Sequence, residues 1–330
     1  MALDFGRMAL CSCAAAATLA ACGGSQPPIG APGAMQQTPA IATHADRSGS
    51  WMLPEAKSET LVYVTTLGDP GDMYVYDYAS GNLVGRISKL SYPSGACSDV
   101  QGNVFIAMQN ASEVYEYAHG GTTPIAILST EGYQPQSCSV DPNTGNLAVC
   151  GDKGFNEPGA AAVFQNEQGS PTIYPTDDTL FFCAYDNHSN LFADVGNLLE
   201  LPNGSSTFKS IFINGNSGWY HGSIQWDGGA FAINVPTGNP RGPAVVYRVS
   251  VSGSQGSIIG KTLLYSNRGS HDDQVDCQFW NYRSRILASQ KPEWGLAAWR
   301  YPSGGKPRLV FRPQIDACGI TVSIPPPSSR

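Results

Sequence analysis

The sequence predicts an all-β fold made by repeating one unit of four short strands, and three observations support it. An apolar run, a Gly/Asn/Asp turn and a second apolar run recur together at intervals of roughly 40 to 50 residues, a spacing typical of strand-based arrays. A further strand and a Gly-containing turn follow most copies. The 330 residues include 37 Gly and 24 Pro, and only 14% are charged, as many turns between buried strands require. The copies span Ser94–Ala107, Gln136–Val149, Phe181–Asp194, His221–Ile233, Val275–Ala288 and the shortened Asp316–Ile324.

We name the predicted strands of each unit A, B, C and D in chain order. Gly residues follow each C strand, because tight hairpin turns need the positive φ that Gly adopts without strain. Incomplete alternation of apolar and polar residues indicates that both sheet faces are buried. The B strands are Leu61–Thr66, Asn103–Met108, Asn146–Cys150, Asn190–Asp194, Ala230–Asn234 and Arg285–Ser289; the C strands are Met73–Tyr78, Glu113–Ala118, Ala161–Gln165, Leu198–Pro202, Ala244–Val249 and Leu296–Tyr301; D strands include Leu83–Ser88, Pro124–Leu128 and Arg308–Phe311.

The two chain ends predict how the array closes. The repeats begin with strands B, C and D of one unit, and the final run Gly319–Ile324 supplies the A strand that this unit lacks. We therefore predict a six-bladed β-propeller of four-stranded antiparallel blades, in which the C-terminal strand joins the N-terminal blade. Such closure leaves no long exposed edge.

One copy of the repeat resembles a known superfamily. Tyr133–Val149, YQPQSCSVDPNTGNLAV, is similar to the NHL-like six-bladed propeller repeat, which reads roughly P-x-G-hydrophobic-x-V-D-x-x-G-N-hydrophobic-Y-V. The resemblance covers Leu61–Ile324 and implies an architecture, not an activity. The chain also resembles uncharacterised propeller lipoproteins of environmental bacteria.

The N-terminus predicts export and a lipid anchor. Arg7 and the apolar run Met8–Ala21 form a signal peptide over residues 1–21, and Leu19–Cys22 followed by Gly23 resembles a bacterial lipobox. Cys22 is the predicted lipidation site, which places the protein at the bacterial cell envelope, periplasmic or on the cell surface. The alternative is a plain secretory signal. Residues 22–56 are predicted to be a flexible tether, residues 57–324 the propeller and residues 325–330 a C-terminal tail.

Charge and hydropathy narrow the classes of partner. The formal net charge is −7 and Lys and Arg do not cluster, which argues against nucleic acid. No stretch after residue 21 approaches the ~20 apolar residues that span a bilayer. We expect a monomer that meets the membrane through its lipid.

The cysteines recur at one place in the repeat. Neighbouring packed sheets lie ~10 Å apart, whereas a disulfide needs Cα atoms within ~7 Å, so buried structural thiols are expected. A Cys138–Cys150 disulfide within one hairpin is the alternative that an exported compartment permits. The recurring residues are Cys97, Cys138, Cys183, Cys277 and Cys318.

Strand direction predicts where a binding site lies. If strand A runs away from one face, the D-to-A and B-to-C loops both surround the channel mouth on that face, where rigid scaffolds commonly bind ligands. The loops bring Tyr92, Asp152, acidic residues and aromatic residues to one rim. Carboxylates suit Ca²⁺, a possible cofactor, and aromatic rings beside polar groups suit a sugar; alternatively these residues only form turns and cap the channel. The predicted ligand-binding residues are Trp219, Tyr220, His221, His271, Asp272, Asp273, Asp276, Trp294 and Asp316.

Two functions remain open from the sequence. The chain lacks GxSxG and HExxH motifs, so no catalytic residue is assigned, and a binding or scaffold module for a small polar ligand, glycan or protein is favoured. The alternative is a hydrolase resembling the calcium-dependent lactonases. In that case the HDDQVD segment His271–Asp276 would hold a metal-bound water or act as general base. The Glu-Gly-Pro and Asn-Asp-Gly motifs of that family are missing here.

Overall fold

The architecture is taken from a computed structural model of the chain. It describes residues 49–154, 157–194, 197–214, 222–234, 243–266, 277–290, 295–313 and 315–326. These residues belong to the second of two units into which the chain divides, Asp46–Arg330. Within the described ranges the regular structure is strand apart from two short 3-10 turns, Pro54–Ser58 and Gln109–Ala111, which confirms the all-β prediction. No helix among these residues has the length and apolar character needed to cross a bilayer.

The strands pair into five sheets, and most of them are four-stranded and antiparallel. The predicted B and C strands coincide with observed strands to within a few residues. The first sheet contains β1 (Trp51–Met52), β2 (Leu61–Thr66), β3 (Gly71–Asp77), β4 (Leu83–Leu90) and β25 (Ala317–Ser323); the second contains β5 (Pro93–Ser98), β6 (Val104–Met108), β7 (Glu113–Tyr117) and β8 (Pro124–Ser129); the third contains β9 (Gln134–Val140), β10 (Leu147–Asp152), β11 (Gly159–Gln165) and β12 (Gln168–Pro175).

One sheet has eight strands, whereas the others have four or five. It contains β13 (Phe182–Tyr185), β14 (Leu191–Asp194), β15 (Leu198–Leu201), β16 (Lys209–Ile213), β17 (Ile224–Trp226), β18 (Phe231–Asn234), β19 (Ala244–Ser252) and β20 (Gln255–Leu264). Two antiparallel groups of four strands meet through the parallel pair β16–β20. This pairing occurs because edge strands present unpaired backbone groups, and here the N–H of Phe212 donates to the Ser254 carbonyl at 2.9 Å. The last sheet contains β21 (Phe279–Tyr282), β22 (Arg285–Gln290), β23 (Gly295–Arg300) and β24 (Leu309–Val310).

The C-terminal strand completes the N-terminal sheet. β25 pairs antiparallel with β2, with Leu61 opposite Ser323 and Val64 opposite Ile320. The sheet order is β1-β4-β3-β2-β25, so the last strand of the chain takes the A position that the repeats left open.

The A strands lie side by side, and the core lies between neighbouring sheets. β5, β9, β13, β17, β21 and β25 each contact the next in that order, and β25 contacts β5. Both faces of the strands pack against neighbouring sheets, so β6, β10 and β25 are buried at every residue. Phe105 of the second sheet and Phe164 of the third belong to one such interface.

Neighbouring A strands approach much more closely than packed sheets normally do. A Cβ atom added to Gly319 would lie 2.1 Å from the Ser94 carbonyl oxygen, and one added to Gly95 would lie 2.7 Å from the Cα of Ser137. Glycine is therefore required at these two positions.

The close approach corrects our prediction for the cysteines. Cys97 and Cys138 form a disulfide with Cα atoms 5.5 Å apart, and Cys277 and Cys318 form another with Cα atoms 4.9 Å apart. The ~10 Å separation applies to average sheet packing, whereas neighbouring A strands approach one another more closely at these residues. The alternative Cys138–Cys150 bridge is also wrong, because Cys138 bonds to Cys97; Cys150 and Cys183 stay buried thiols.

Aspartates hold the turns between A and B strands. Asp99 Oδ1 accepts from the Asn103 N–H at 2.7 Å, and Asp186 Oδ1 accepts from the Asn190 N–H at 2.9 Å. The Asp-to-Asn spacing in the repeat thus closes a local turn, since Asp side chains readily bond backbone N–H groups a few residues on.

The segment before the first repeat packs onto the first sheet. Trp51 pairs with Arg86 and Met52 with Gly85, while Ala56 is fully buried. A Cβ on Gly85 would lie 2.2 Å from the Met52 sulfur, which explains the glycine in this strand.

Candidate functional site

A cavity of about 620 Å³ opens at one end of the A strands. Its walls come from residues at the start of A strands and at the end of B strands. These two sets meet because A and B are antiparallel, so the start of one lies beside the end of the other. The lining residues are Leu67, Tyr92, Ser94, Gly95, Gln109, Gln134, Gln136, Asp152, Thr179, Phe181, Phe182, Cys277, Gln278 and Cys318. We call this space the mouth cavity.

Gln278 forms part of the inner wall of the mouth cavity. Its Oε1 accepts hydrogen bonds from the N–H of Ala96 at 2.9 Å and of Ile320 at 3.2 Å, and its Nε2 donates to the Ala96 carbonyl at 2.8 Å. The side chain, only 1% exposed, thereby joins the entry to β21 to β5 and β25. Trp280, two residues later, packs against the apolar clusters that contain Cys97 and Ile320. Gln278 therefore lines the cavity, whereas Trp280 packs against the apolar core.

Amide side chains and one carboxylate form a polar wall. Gln134 and Gln136 are two residues apart on β9, and Gln134 lies opposite Asp152 of β10. The Gln136 amide donates to Asp152 Oδ2 at 3.3 Å, and the Gly154 N–H donates to Oδ1 at 2.9 Å. A primary amide offers two donors and an acceptor, so this wall can both donate to and accept from a ligand.

The mouth cavity carries little charge. Asp152 is the one carboxylate among its described lining residues, which include no Lys, Arg or His. Asp152 is 3% exposed, and burial raises its pKa despite the hydrogen bonds from Gly154 and Gln136. An anionic ligand would find no basic partner among the described lining residues to compensate for the hydration it loses.

Aromatic side chains form the remaining wall. Tyr92, Phe181 and Phe182 are each partly buried and line the cavity beside Leu67, which is 43% exposed. Tyr92 has a positive φ of 50° at the turn before β5, and its carbonyl accepts from the Gln109 N–H at 3.1 Å. Flat apolar surface beside oriented polar groups is the usual composition of a small-molecule pocket.

A disulfide stabilises the entry to the cavity. The Cys277–Cys318 bond lines the wall and links the residue before Gln278 to β25. Gln278 also accepts a hydrogen bond from Ile320 of β25. The disulfide and this hydrogen bond therefore both connect the start of β21 to β25. The wall is therefore fixed covalently as well as by hydrogen bonds.

Most of the predicted ligand-binding residues lie outside the described ranges. Among those residues, only Asp316 is described; it is exposed, two residues before Cys318, and does not line the cavity. Tyr92 and Asp152, also expected at the mouth, do line it. Among the described residues no group of three or more His, Cys, Asp or Glu could hold a metal ion. The residues outside the description are Trp219, Tyr220, His221, His271, Asp272, Asp273, Asp276 and Trp294.

Sequence reasoning missed the glutamines of the cavity. Gln134 and Gln136 lie near the start of β9, where the register with β10 shifts and leaves Gln136 without a paired residue, so their shared position at the cavity was not evident from alternation. Gln278 and Gln109 had no local signal either, since their role depends on strands distant in the sequence.

Comparisons with known proteins show the fold. No protein-family model and no curated protein sequence matches the chain. The structure of a nidogen/laminin complex is similar with a TM-score of 0.58 and 10% identity, covering 81% of this chain and 99% of that chain. The structure of a protein of unknown function from Bacteroides caccae is similar with a TM-score of 0.57 and 10% identity. The match covers 81% of this chain and 99% of that chain. The structure of a streptogramin B lyase has a TM-score of 0.47 and 13% identity. The match covers 82% of this chain and 76% of that chain. The first two similarities show that the chain has a β-propeller fold.

Proposed function

We propose that the propeller has six blades, with the eight-stranded sheet counting as two. The parallel β16–β20 pair joins only their outer strands, and each half contains four antiparallel strands in chain order. The succession of contacts among six A strands and the pairing of β25 with β2 support this count. NHL-like membership rests on the repeat around Tyr133–Val149 alone.

On this scaffold we propose a non-catalytic module that binds a small, neutral, polyhydroxylated ligand such as a glycan in the mouth cavity. The observation that supports it is the lining itself, which combines four glutamines, three aromatic rings and no basic side chain among the described residues. A volume of about 620 Å³ falls within the ~300–1,000 Å³ usual for small-molecule pockets. Hydroxyl groups can accept from and donate to the amides, and a sugar ring can pack on the aromatic wall.

We also propose that the module is exported and anchored through lipid on Cys22. The two disulfides support an oxidising compartment, because cytosolic thiols are normally kept reduced. The Leu19–Cys22 motif supports the anchor. A binding domain held at the envelope in this way would capture its ligand outside the cytoplasm.

Calorimetric titration of the full-length chain with neutral mono- and disaccharides tests the binding proposal. Replacing Gln134 and Gln136 together by Ala should weaken binding roughly tenfold or more, as expected when about 1.4 kcal/mol or more of hydrogen bonding is lost. Gln255→Ala removes an exposed glutamine of β20 and is the matched control. Saccharide binding that the double variant leaves intact would place the ligand elsewhere, and no binding to any saccharide would reject the glycan assignment.

The lactonase-like alternative makes a separate prediction about metal. If His271–Asp276 holds Ca²⁺, the melting temperature should be higher in millimolar Ca²⁺ than in EDTA. Ca²⁺ at 100 times its Kd would add about 2.7 kcal/mol to the free energy of unfolding. The paired substitution Asp272→Ala and Asp273→Ala should remove this rise. An unchanged melting temperature in Ca²⁺ would reject the lactonase-like function. It would not bear on the proposal that the mouth cavity binds a glycan.

A further inference from the structure

A second cavity, of about 530 Å³, lies at the opposite end of the strands. Turns between A and B strands and between C and D strands line it, together with one residue of β7. Four carboxylates face it, Asp99, Glu116, Asp141 and Glu167, and its lining residues include no Lys, Arg or His. We call it the acidic cavity.

Two of these carboxylates, Asp99 and Asp141, accept hydrogen bonds within turns between A and B strands. Asp99 accepts from the backbone N–H and the side-chain amide of Asn103 at 2.7 and 2.8 Å. Asp141 accepts from the Asn143 N–H at 3.0 Å and from the hydroxyl of Thr144 at 2.6 Å. Their presence is explained by the local turn structure.

Glu116 is not explained in this way. It lies on β7 with only 9% of its surface exposed, and within the described residues its carboxylate has neither a hydrogen bond nor an ion pair. A carboxylate buried to this extent and without a protein donor is costly to ionise, because burial has removed part of its hydration. Its free acceptor capacity is directed into the acidic cavity, whose wall it forms.

Glu167 adds a second acceptor, at the turn between β11 and β12. Burial and the charges of Asp99 and Glu116 raise its pKa to about 7. Burial and Asp99 likewise raise the pKa of Glu116, and burial raises that of Asp99. The carboxylates therefore repel one another when ionised, and either protons or a bound cation would relieve that repulsion.

We propose that the acidic cavity binds an organic polyamine, whose ammonium groups pair with Glu116 and Glu167. A single metal ion fits less well, since the described residues contain no group of three or more carboxylate, His or Cys ligands placed to hold one. An ammonium group has three donors and forms short charge-assisted bonds with carboxylates. A chain carrying several such groups can reach acceptors that are spread over a cavity of this size.

Calorimetric titration of the full-length chain with spermidine at low ionic strength tests the proposal. We expect saturable binding at about pH 8 that weakens roughly tenfold or more at about pH 5.5, where protons occupy the carboxylates. Glu116→Gln combined with Glu167→Gln should weaken binding to a similar extent. Glu131→Gln, an exposed glutamate outside the cavity lining, is the matched control and should bind as the native chain does.

The outcomes separate the proposal from its rivals. Absence of binding at about pH 8, or equal binding by the double variant, would overturn it. Trilysine, titrated in parallel, presents the same ammonium groups on a peptide; tighter binding of trilysine than of spermidine would assign the cavity to a protein partner and also overturn it. Without ligand the double variant should melt at the same or a higher temperature, because substitution relieves repulsion, so lost binding cannot be attributed to unfolding.

Discussion

The side-chain amide of Gln278 exchanges two hydrogen bonds with the backbone of Ala96, although 182 residues separate them in the chain. Ala96 lies on β5 and Gln278 just before β21, and β25 contacts both strands. A third bond, from the Ile320 N–H, includes β25 in the same arrangement. One side chain thereby connects three A strands.

Replacing Gln278 by Leu should be strongly destabilising. The change preserves approximate volume but leaves two buried N–H groups and one carbonyl without these partners, at a cost of about 4 kcal/mol in the free energy of unfolding. Urea unfolding measures the loss. Gln255→Leu is the control, since an exposed substitution should change stability by only about 0.5 kcal/mol. A loss below about 1 kcal/mol for Gln278→Leu would show that water or other groups replace the amide.

Each disulfide should contribute substantially to stability. Both bonds join residues 41 positions apart, and closing a loop of that length in the unfolded chain corresponds to about 4 kcal/mol. Replacing Cys97 and Cys138 together by Ala should lower the free energy of unfolding by an amount of that order. Peptide mass spectrometry without reduction provides the independent check: Cys150 and Cys183 should be recovered as thiols, and a Cys138–Cys150 peptide would contradict the assigned pairing.

An ion pair should make part of the stability depend on pH. Asp227 Oδ2 accepts from Arg248 Nε at 2.6 Å and from the Tyr301 hydroxyl at 2.7 Å. Burial raises the pKa of Asp227, but the hydrogen bonds from Arg248 and Tyr301 outweigh burial, and the pKa lies below its usual value. The folded pKa is below the unfolded one, so this contribution is complete above about pH 4 and is lost as the pH falls through the folded pKa.

Tyr301→Phe tests that contribution. Removing the hydroxyl should cost about 1 kcal/mol near neutral pH, and the cost should shrink at about pH 2 as Asp227 becomes protonated. Urea unfolding at both pH values measures the change. Tyr265→Phe, at a residue that is 43% exposed, serves as control. An equal cost at both pH values would mean that the hydroxyl acts independently of the carboxylate charge.

The proposed anchor predicts the behaviour of one variant. Cys22→Ser removes the thiol that would receive the lipid, so the protein should move from the membrane fraction to the soluble exported fraction and lose incorporation of labelled fatty acid. A variant that stays with the membrane and keeps the label would disprove lipidation at Cys22. Signal cleavage at another residue, found by N-terminal analysis, would favour the plain secretory alternative.

The strands and turns of this protein could be predicted because their causes are local. Asp186 and Asn190 are close in the chain and form a local turn, and short apolar runs bounded by such turns indicate buried strands. The pairing of β25 with β2 was also predictable, because the missing A strand of the first unit had one available partner.

The candidate site was less predictable, because it depends on distances between strands of different repeats. The Cys97–Cys138 bond contradicted our expectation, since the average spacing of packed sheets does not hold where A strands converge. The contact between Gln278 and Ala96 likewise has no local signal. The sequence by itself therefore determined the repeat and its turns, which follow from short-range backbone preferences, and the pairing of β25 with β2, which follows from the strand that the first repeat lacks. Only the tertiary structure decided which cysteines bond, which glutamines line the mouth cavity and which carboxylates share the acidic cavity, because those contacts depend on how closely the sheets approach one another in space.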